Sequence, residues 1–207
     1  DISDSMKGVL ADVLDAGTQF LDKLRPRDSA TVLAFNDTTF VVVDRETNPL
    51  ARQLTTMGLT AWGGTALYDA ILESLARAAR SSGRKGVVVF TDGEDRASRA
   101  NSSKTARRVQ ESDVLVYTIA FGAGVSDPDT RRHLELYATA SGGRVFFARN
   151  AEDLRGAFDE IVAELTSQYV LSYVPRTTRP GWRRLEVSVN ARGARVYARD
   201  GYLVEEQ

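Results

Sequence analysis

Gly86-Val87-Val88-Val89-Phe90-Thr91-Asp92-Gly93 is an unbroken apolar run of β-branched and aromatic residues that ends in a hydroxyl, a carboxylate and a glycine. A strand wet on one face alternates apolar and polar residues. A continuous short run is instead the pattern of a strand covered on both faces, as in a parallel sheet with helices above and below. The polar end of the run then lies at the carboxyl edge of the sheet, where open α/β folds bind their ligands.

Working outward, the flanking segments keep an α/β rhythm. Upstream, Gly63-Gly64 precedes a helix whose face carries Leu67, Ala70, Ile71, Leu75, Ala78 and Ala79. Ala30 to Asn36 and Thr39 to Val43 read as two strands joined by the hairpin-like Asn36-Asp37. Met6 to Leu24 places Met6, Val9, Leu10, Val13, Leu14, Phe20, Leu21 and Leu24 at helical spacing, which predicts a first amphipathic helix. Downstream come a polar helix around Lys104 to Glu111, a strand over Val114 to Phe121, and a helix from Pro128 with Asp127 as its N-cap. A strand Val145 to Ala148 follows, then a long helix capped by Asn150 that carries Leu154, Phe158, Ile161, Val162 and Leu165.

Beyond about Thr166 the period changes to two. Tyr169, Leu171 and Tyr173, then Leu185, Val187 and Val189, then Arg195 to Ala198 after the turn Arg192-Gly193, predict a three-stranded antiparallel appendage. The organisation is therefore a doubly wound α/β domain over residues 1–166 and a β extension over 167–207. Arg176, Arg179, Arg183, Arg184, Arg192, Arg195 and Arg199 make the extension basic, the pattern of the wet face of a two-faced sheet.

Bulk properties narrow the function. With 207 residues the chain can bury one sizeable core. The formal net charge of -1 supplies no whole-molecule attraction to nucleic acid or anionic membrane. The absence of cysteine excludes disulfides, thiolate metal sites and a cysteine nucleophile. No apolar run approaches the roughly 20 residues needed to span a bilayer, so no transmembrane segment is predicted, and any export signal would lie outside this stretch.

Three loops carry the chemistry. Asp1-Ile2-Ser3-Asp4-Ser5 precedes the first helix, Thr65 opens the second, and Asp92 ends the apolar strand. A doubly wound sheet gathers such positions at one end. The side chains delivered are carboxylates and hydroxyls, hard oxygen donors suited to Mg²⁺, Mn²⁺ or Ca²⁺ and poorly suited to Zn²⁺ or Cu²⁺. Asp1, Ser3, Ser5, Thr65 and Asp92 are thus the candidate ligands of one divalent ion. Two carboxylates only just neutralise such an ion. It stays electrophilic, with positions left for water or for an acidic oxygen of a partner.

Taken in order, Asp1-x-Ser3-x-Ser5, Gly63-Gly64-Thr65 and Thr91-Asp92-Gly93 resemble the metal-ion-dependent adhesion site of von Willebrand factor type A domains, over residues 1 to about 165. The resemblance implies that Asp1, Ser3 and Ser5 coordinate directly or through water, and that Thr65 and Asp92 alternate between the two modes. It implies a binding module for an acidic protein or peptide ligand, not an enzyme. The stretches Ser167-Gln168-Tyr169, Trp182-Arg183-Arg184 and Ala198-Arg199-Asp200-Gly201-Tyr202 are similar to the tail of a bacterial group of such proteins, abundant in acidobacteria, which implies export. Asp4 departs from the family, which has glycine there; its carboxylate would tighten the ion or repel an acidic ligand. The strand that the family places ahead of Asp1 is not in the sequence, so a gap in the sheet and a charged α-amino group beside the ion are expected.

Simpler readings exist for each piece. Ser3 and Ser5 can cap the first helix and Asp92 can sit in a turn. Asp69 reads as a helix-start acid, and Glu94 and Asp95 as solvated loop residues. Trp62 is a core filler or a binding anchor. His133, the single histidine, reads as a surface residue. The alternative functions are a Mg²⁺-dependent hydrolase or phosphotransfer enzyme with Asp1 as nucleophile, and a scaffold whose ion is purely structural. The enzyme reading lacks a second carboxylate two residues after Asp1, a phosphate-cradling loop with lysine, and a Gly-x-Ser-x-Gly element.

Overall fold

A computed structural model describes residues 1–54, 57–175, 177 and 179–204. Arg176 and the last three residues of the expected extension lie outside the described residues. The apolar run Gly86–Thr91 forms β3, which pairs in parallel with β4 (Leu115–Phe121), and β4 pairs in parallel with β5 (Val145–Ala148). Both faces of this block are covered. Val87, Val89, Val116 and Ala120 pack with α2 (Leu67–Ala79), α3 (Ser102–Glu111) and α4 (Pro128–Ser141). Phe90, Tyr117, Ile119 and Phe121 face the other way, toward α1 (Leu10–Asp22) and α5 (Ala151–Ser167). The apolar run is continuous because successive side chains enter two different cores.

Local chemistry places the helix starts. The Asp127 carboxylate accepts from Thr130 N at 2.6 Å, and Asn150 Oδ1 from Asp153 N at 2.9 Å, as the capping signals predict. The N-terminal helix splits into a 3-10 turn (Asp4–Gly8) followed by α1, where Gly8 and β-branched Val9 interrupt the pattern.

β1 (Ala30–Phe35) and β2 (Thr39–Glu46) form the expected antiparallel hairpin around Asn36-Asp37. The sheet is interrupted between β1 and β3, where a gap is expected. Among the described residues no strand lies there, and a cavity of about 600 Å³ is lined by Ala30, Val32, Val88, Phe90, Phe20 and Phe158 among others. Asp1 and Ile2 close one end of it. The Asp1 amino group lies 3.4 Å from Phe90 O and Ile2 N donates to Phe35 O at 2.8 Å, so the C-terminal ends of β1 and β3 are tied through two consecutive residues.

The extension differs from its expected pairing. The strands are β6 (Gly181–Arg184) and β7 (Gly201–Val204), antiparallel, with Leu185 N donating to Asp200 O at 2.8 Å and a turn at Ala191 to Ala194. The run with Tyr169, Leu171 and Tyr173 is not a strand and is largely exposed. Alternating residues become a strand only beside a backbone that accepts their hydrogen bonds, and among the described residues none does so here. The extension docks by its far end: an Arg199 guanidinium nitrogen donates to Ser112 O at the end of α3, and the Arg144 guanidinium lies 4.9 Å from the Tyr197 ring centroid.

The two-faced β4 sets a stability expectation. Ile119 is 0% exposed and Leu50 is 79% exposed. Ile119→Ala lowers the unfolding free energy by about 2–5 kcal/mol, whereas Leu50→Ala changes it by less than about 0.5 kcal/mol. Urea unfolding followed by circular dichroism measures both.

Candidate functional site

The loop after the cavity-closing pair turns its side chains into one hydrogen-bonded chain. Asp1 accepts from Ser3 N at 2.8 Å through Oδ1 and from Thr91 Oγ1 at 2.6 Å through Oδ2. Ser3 Oγ and Ser5 Oγ are 3.1 Å apart, and Ser5 Oγ donates to Asp92 Oδ1 at 2.8 Å. Asp1, Ser3, Ser5 and Asp92 are therefore together, although the first and the last stand far apart in the sequence. Ser3 and Asp92 are buried, while Ser5 is open to solvent. Ser3 does occupy the N-cap position of the 3-10 turn, but no side-chain capping bond is made there. The serine hydroxyls serve the cluster rather than the helix.

Burial pulls the α-amino group of Asp1 down to about 5, against the opposing pull of the Asp92 carboxylate. Desolvation outweighs the attraction of one carboxylate.

Thr65 takes no part in this hydrogen-bonded chain; its backbone is tied instead to the segment that follows Asp92. It is 6% exposed, and Thr65 O accepts from Arg96 N at 2.9 Å and Ala97 N at 3.1 Å, which joins its loop to the loop of Asp92. Its placement depends on Asn36-Asp37, legible in the sequence only as a turn. Asn36 is fully buried; its Nδ2 donates to Trp62 O at 3.1 Å, its Oδ1 accepts from Thr38 N, and its carbonyl accepts from Ala66 N at 2.6 Å. Asp37 Oδ1 accepts from Gly64 N at 3.0 Å. Gly63 has φ +80°, and a Cβ there would run into the Asp37 carboxylate. Glycine is required on both counts.

The surrounding acids divide. Asp4 points outward and pairs with Lys7 at 2.6 Å, both side chains 64% exposed, so it is spent on solvent and lysine rather than on the site. Glu94 is exposed as expected. Asp95 is not simply solvated: it accepts from Tyr68 N at 2.8 Å and from Ser98 Oγ at 2.6 Å. Ala66, the N-cap of α2, has no side chain to offer, and Asp95 supplies the missing acceptor from another loop. Asp69 accepts from Arg99 N and Ala100 N and holds the same loop. His133 is half-buried, with Nδ1 3.3 Å from Tyr68 Oη and its ring stacked on Tyr137. Among the described residues no group of three or more His, Cys, Asp or Glu side chains converges. The cluster offers two carboxylates with hydroxyls between them.

Comparison with known proteins gives a consistent picture. The sequence model of the von Willebrand factor type A domain matches residues 1–160. A UPF0353 protein of Mycobacterium sp. (strain KMS) is 27% identical over 224 aligned positions, which take in 94% of this chain and 66% of that protein. The chain thus spans just under two thirds of the length of this relative. Among solved structures, the vWF domain of the type V pili tip protein Mfa5 from Porphyromonas gingivalis superposes with a TM-score of 0.67 at 13% identity, over 86% of this chain and 96% of that one. Proximal thread matrix protein 1 from the mussel byssus, with a zinc-occupied MIDAS motif, superposes with a TM-score of 0.61 at 14% identity, over 78% and 43%. At these identities the two structures show the shared fold.

The Asn36 clamp is testable apart from any ligand. Asn36→Ala leaves Trp62 O and Thr38 N without their buried partner, at a cost of about 1–3 kcal/mol. Amide hydrogen exchange at Trp62, Gly64 and Ala66 speeds up selectively, while exchange in β4 follows global stability alone.

Proposed function

The chain belongs to the von Willebrand factor type A domain family, and on that footing we propose that it is a non-enzymatic, cation-dependent binding module. Asp1, Ser3, Ser5, Thr65 and Asp92 hold one divalent ion, and a protein or peptide ligand completes its coordination with an acidic group. The observation that carries this reading is the chain Asp1–Ser3–Ser5–Asp92, closed by the 2.8 Å bond from Ser5 Oγ to Asp92 Oδ1.

The residues fit such an ion. Every donor is oxygen, the two carboxylates match a divalent charge, and the hydroxyls are already turned toward one another. The ion, when bound, supplies a Lewis-acidic position for a carboxylate oxygen. The chain's own residues do the rest. Thr91 and Ser3 N fix the Asp1 carboxylate through one hydrogen bond to each oxygen. Asn36 and Asp37 hold the Thr65 loop. Ser3, Thr65 and Asp92 are buried, Asp1 is half-buried, and Ser5 is open to solvent.

Mg²⁺ is the proposed resident, with Mn²⁺ and Ca²⁺ as competitors of the same donor preference. The mussel protein's zinc-occupied motif places Zn²⁺ in the same comparison. Export to the cell surface or beyond is proposed from the likeness to the pilus tip domain. No helix among the described residues is long and apolar enough to cross a membrane.

Calorimetric titration with Mg²⁺, Mn²⁺, Ca²⁺ and Zn²⁺ tests the site. Asp1→Ala and Asp92→Ala abolish ion binding, because each removes half of the neutralising charge. Ser112→Ala, whose lost hydroxyl bonds are to Val109 O and Val114 N, leaves it intact. Equal affinity in all three variants contradicts the site. Removal of residues 168–207 spares Mg²⁺ affinity, since the extension docks at the ends of α3 and α4; a large loss would place it at the ion.

A further inference from the structure

Trp62 combines exposure with immobility. Its side chain is the largest apolar type, and the residue is 51% exposed. Its backbone, by contrast, is pinned on every side. Trp62 N donates to Ile2 O at 2.9 Å and Asp4 N donates to Gly63 O at 3.0 Å, so Trp62 is paired across from Ser3 by two flanking hydrogen bonds. Trp62 O accepts from Asn36 Nδ2, and the next amide but one, Gly64 N, is held by Asp37. Gly63 and Gly64 carry no side chains that could shield the indole, and Ala61 on its other flank is buried.

A pinned backbone that displays a large apolar group beside the loop carrying Ser3 and Ser5 is the arrangement of a recognition anchor. Little conformational entropy is lost when a ligand settles on it, and tryptophan is the residue type most enriched among energetically dominant contacts. Resting on the ion-dependent reading above, we propose that Trp62 sets ligand choice. The ligand is a peptide segment in which the acidic residue that meets the ion lies next to an aromatic or bulky aliphatic residue that packs on the exposed indole. Asp1, Ser3, Ser5, Thr65 and Asp92 select for the acid; Trp62 selects for its neighbour.

The test uses an array of hexapeptides, each with one central aspartate and all natural side chains in turn at the positions beside it. The array is probed with the wild-type chain in Mg²⁺ and in EDTA. Retention in Mg²⁺ is strongest for aromatic and large aliphatic neighbours, by about tenfold over glycine. Trp62→Ala flattens that profile while its calorimetric Mg²⁺ affinity is unchanged, and Trp62→Phe restores part of it. A flat wild-type profile, an unaltered profile in Trp62→Ala, or no retained peptide overturns the proposal. So does a concentration-dependent dimer in sedimentation that Trp62→Ala abolishes, which would make a second copy the occupant. Failure of the ion reading shows differently: no Mg²⁺ heat, or a side-chain preference that depends on Trp62 and persists unchanged in EDTA.

Discussion

Two carboxylates from distant parts of the chain are held in one hydrogen-bonded cluster by the Ser3 amide and the hydroxyls of Ser3, Ser5 and Thr91, and the rest of the architecture is arranged to make that tolerable. Like charges brought close to one another repel, a cost that the fold offsets with donors. Asp1 receives one hydrogen bond on each oxygen and Asp92 receives the Ser5 hydroxyl. These donors reduce the repulsion without cancelling the charge. A divalent cation among the same oxygens would remove it, which is the physical reason to read the cluster as a cation site rather than a structural turn.

The cluster also joins two parts of the molecule. Asp92 hangs from β3, inside the parallel block. Asp1 to Ser5 closes the cavity between that block and the β1–β2 hairpin, through Phe90 O on one side and Phe35 O on the other. An ion bridging Asp1 and Asp92 would add a bond across the cavity, so binding and stability are linked by mass action. The exposed run around Tyr169 and the β6–β7 hairpin lie outside this coupling and meet the domain near Ser112, Gly142 and Arg144.

Much of this was legible in the sequence because its signals are local. The unbroken run before Asp92 marks a strand between two cores, and Asp127 and Asn150 mark helix starts with the caps they form. The order of Asp1-x-Ser3-x-Ser5, Thr65 and Asp92 along an α/β rhythm is enough to expect three loops at one sheet end. The parts that escaped depend on contacts between loops. Nothing in Asn36-Asp37 beyond a turn signal announces that both side chains clamp residues 62–66. Asp95 looks solvated until Tyr68 N, left without a cap by Ala66, is brought beside it. The alternation at Tyr169, Leu171 and Tyr173 describes a strand's side chains but not the partner backbone that a strand requires.

The central claim is that one divalent ion sits among Asp1, Ser3, Ser5, Thr65 and Asp92. A crystal grown with Mn²⁺ and measured at the manganese absorption edge locates the ion without reference to any assumed ligand set. The account predicts one strong anomalous peak within bonding reach of the Ser3 and Ser5 hydroxyls and bridging, directly or through water, to Asp1 and Asp92. A peak elsewhere on the molecule, or none with Mn²⁺ in excess, would contradict it.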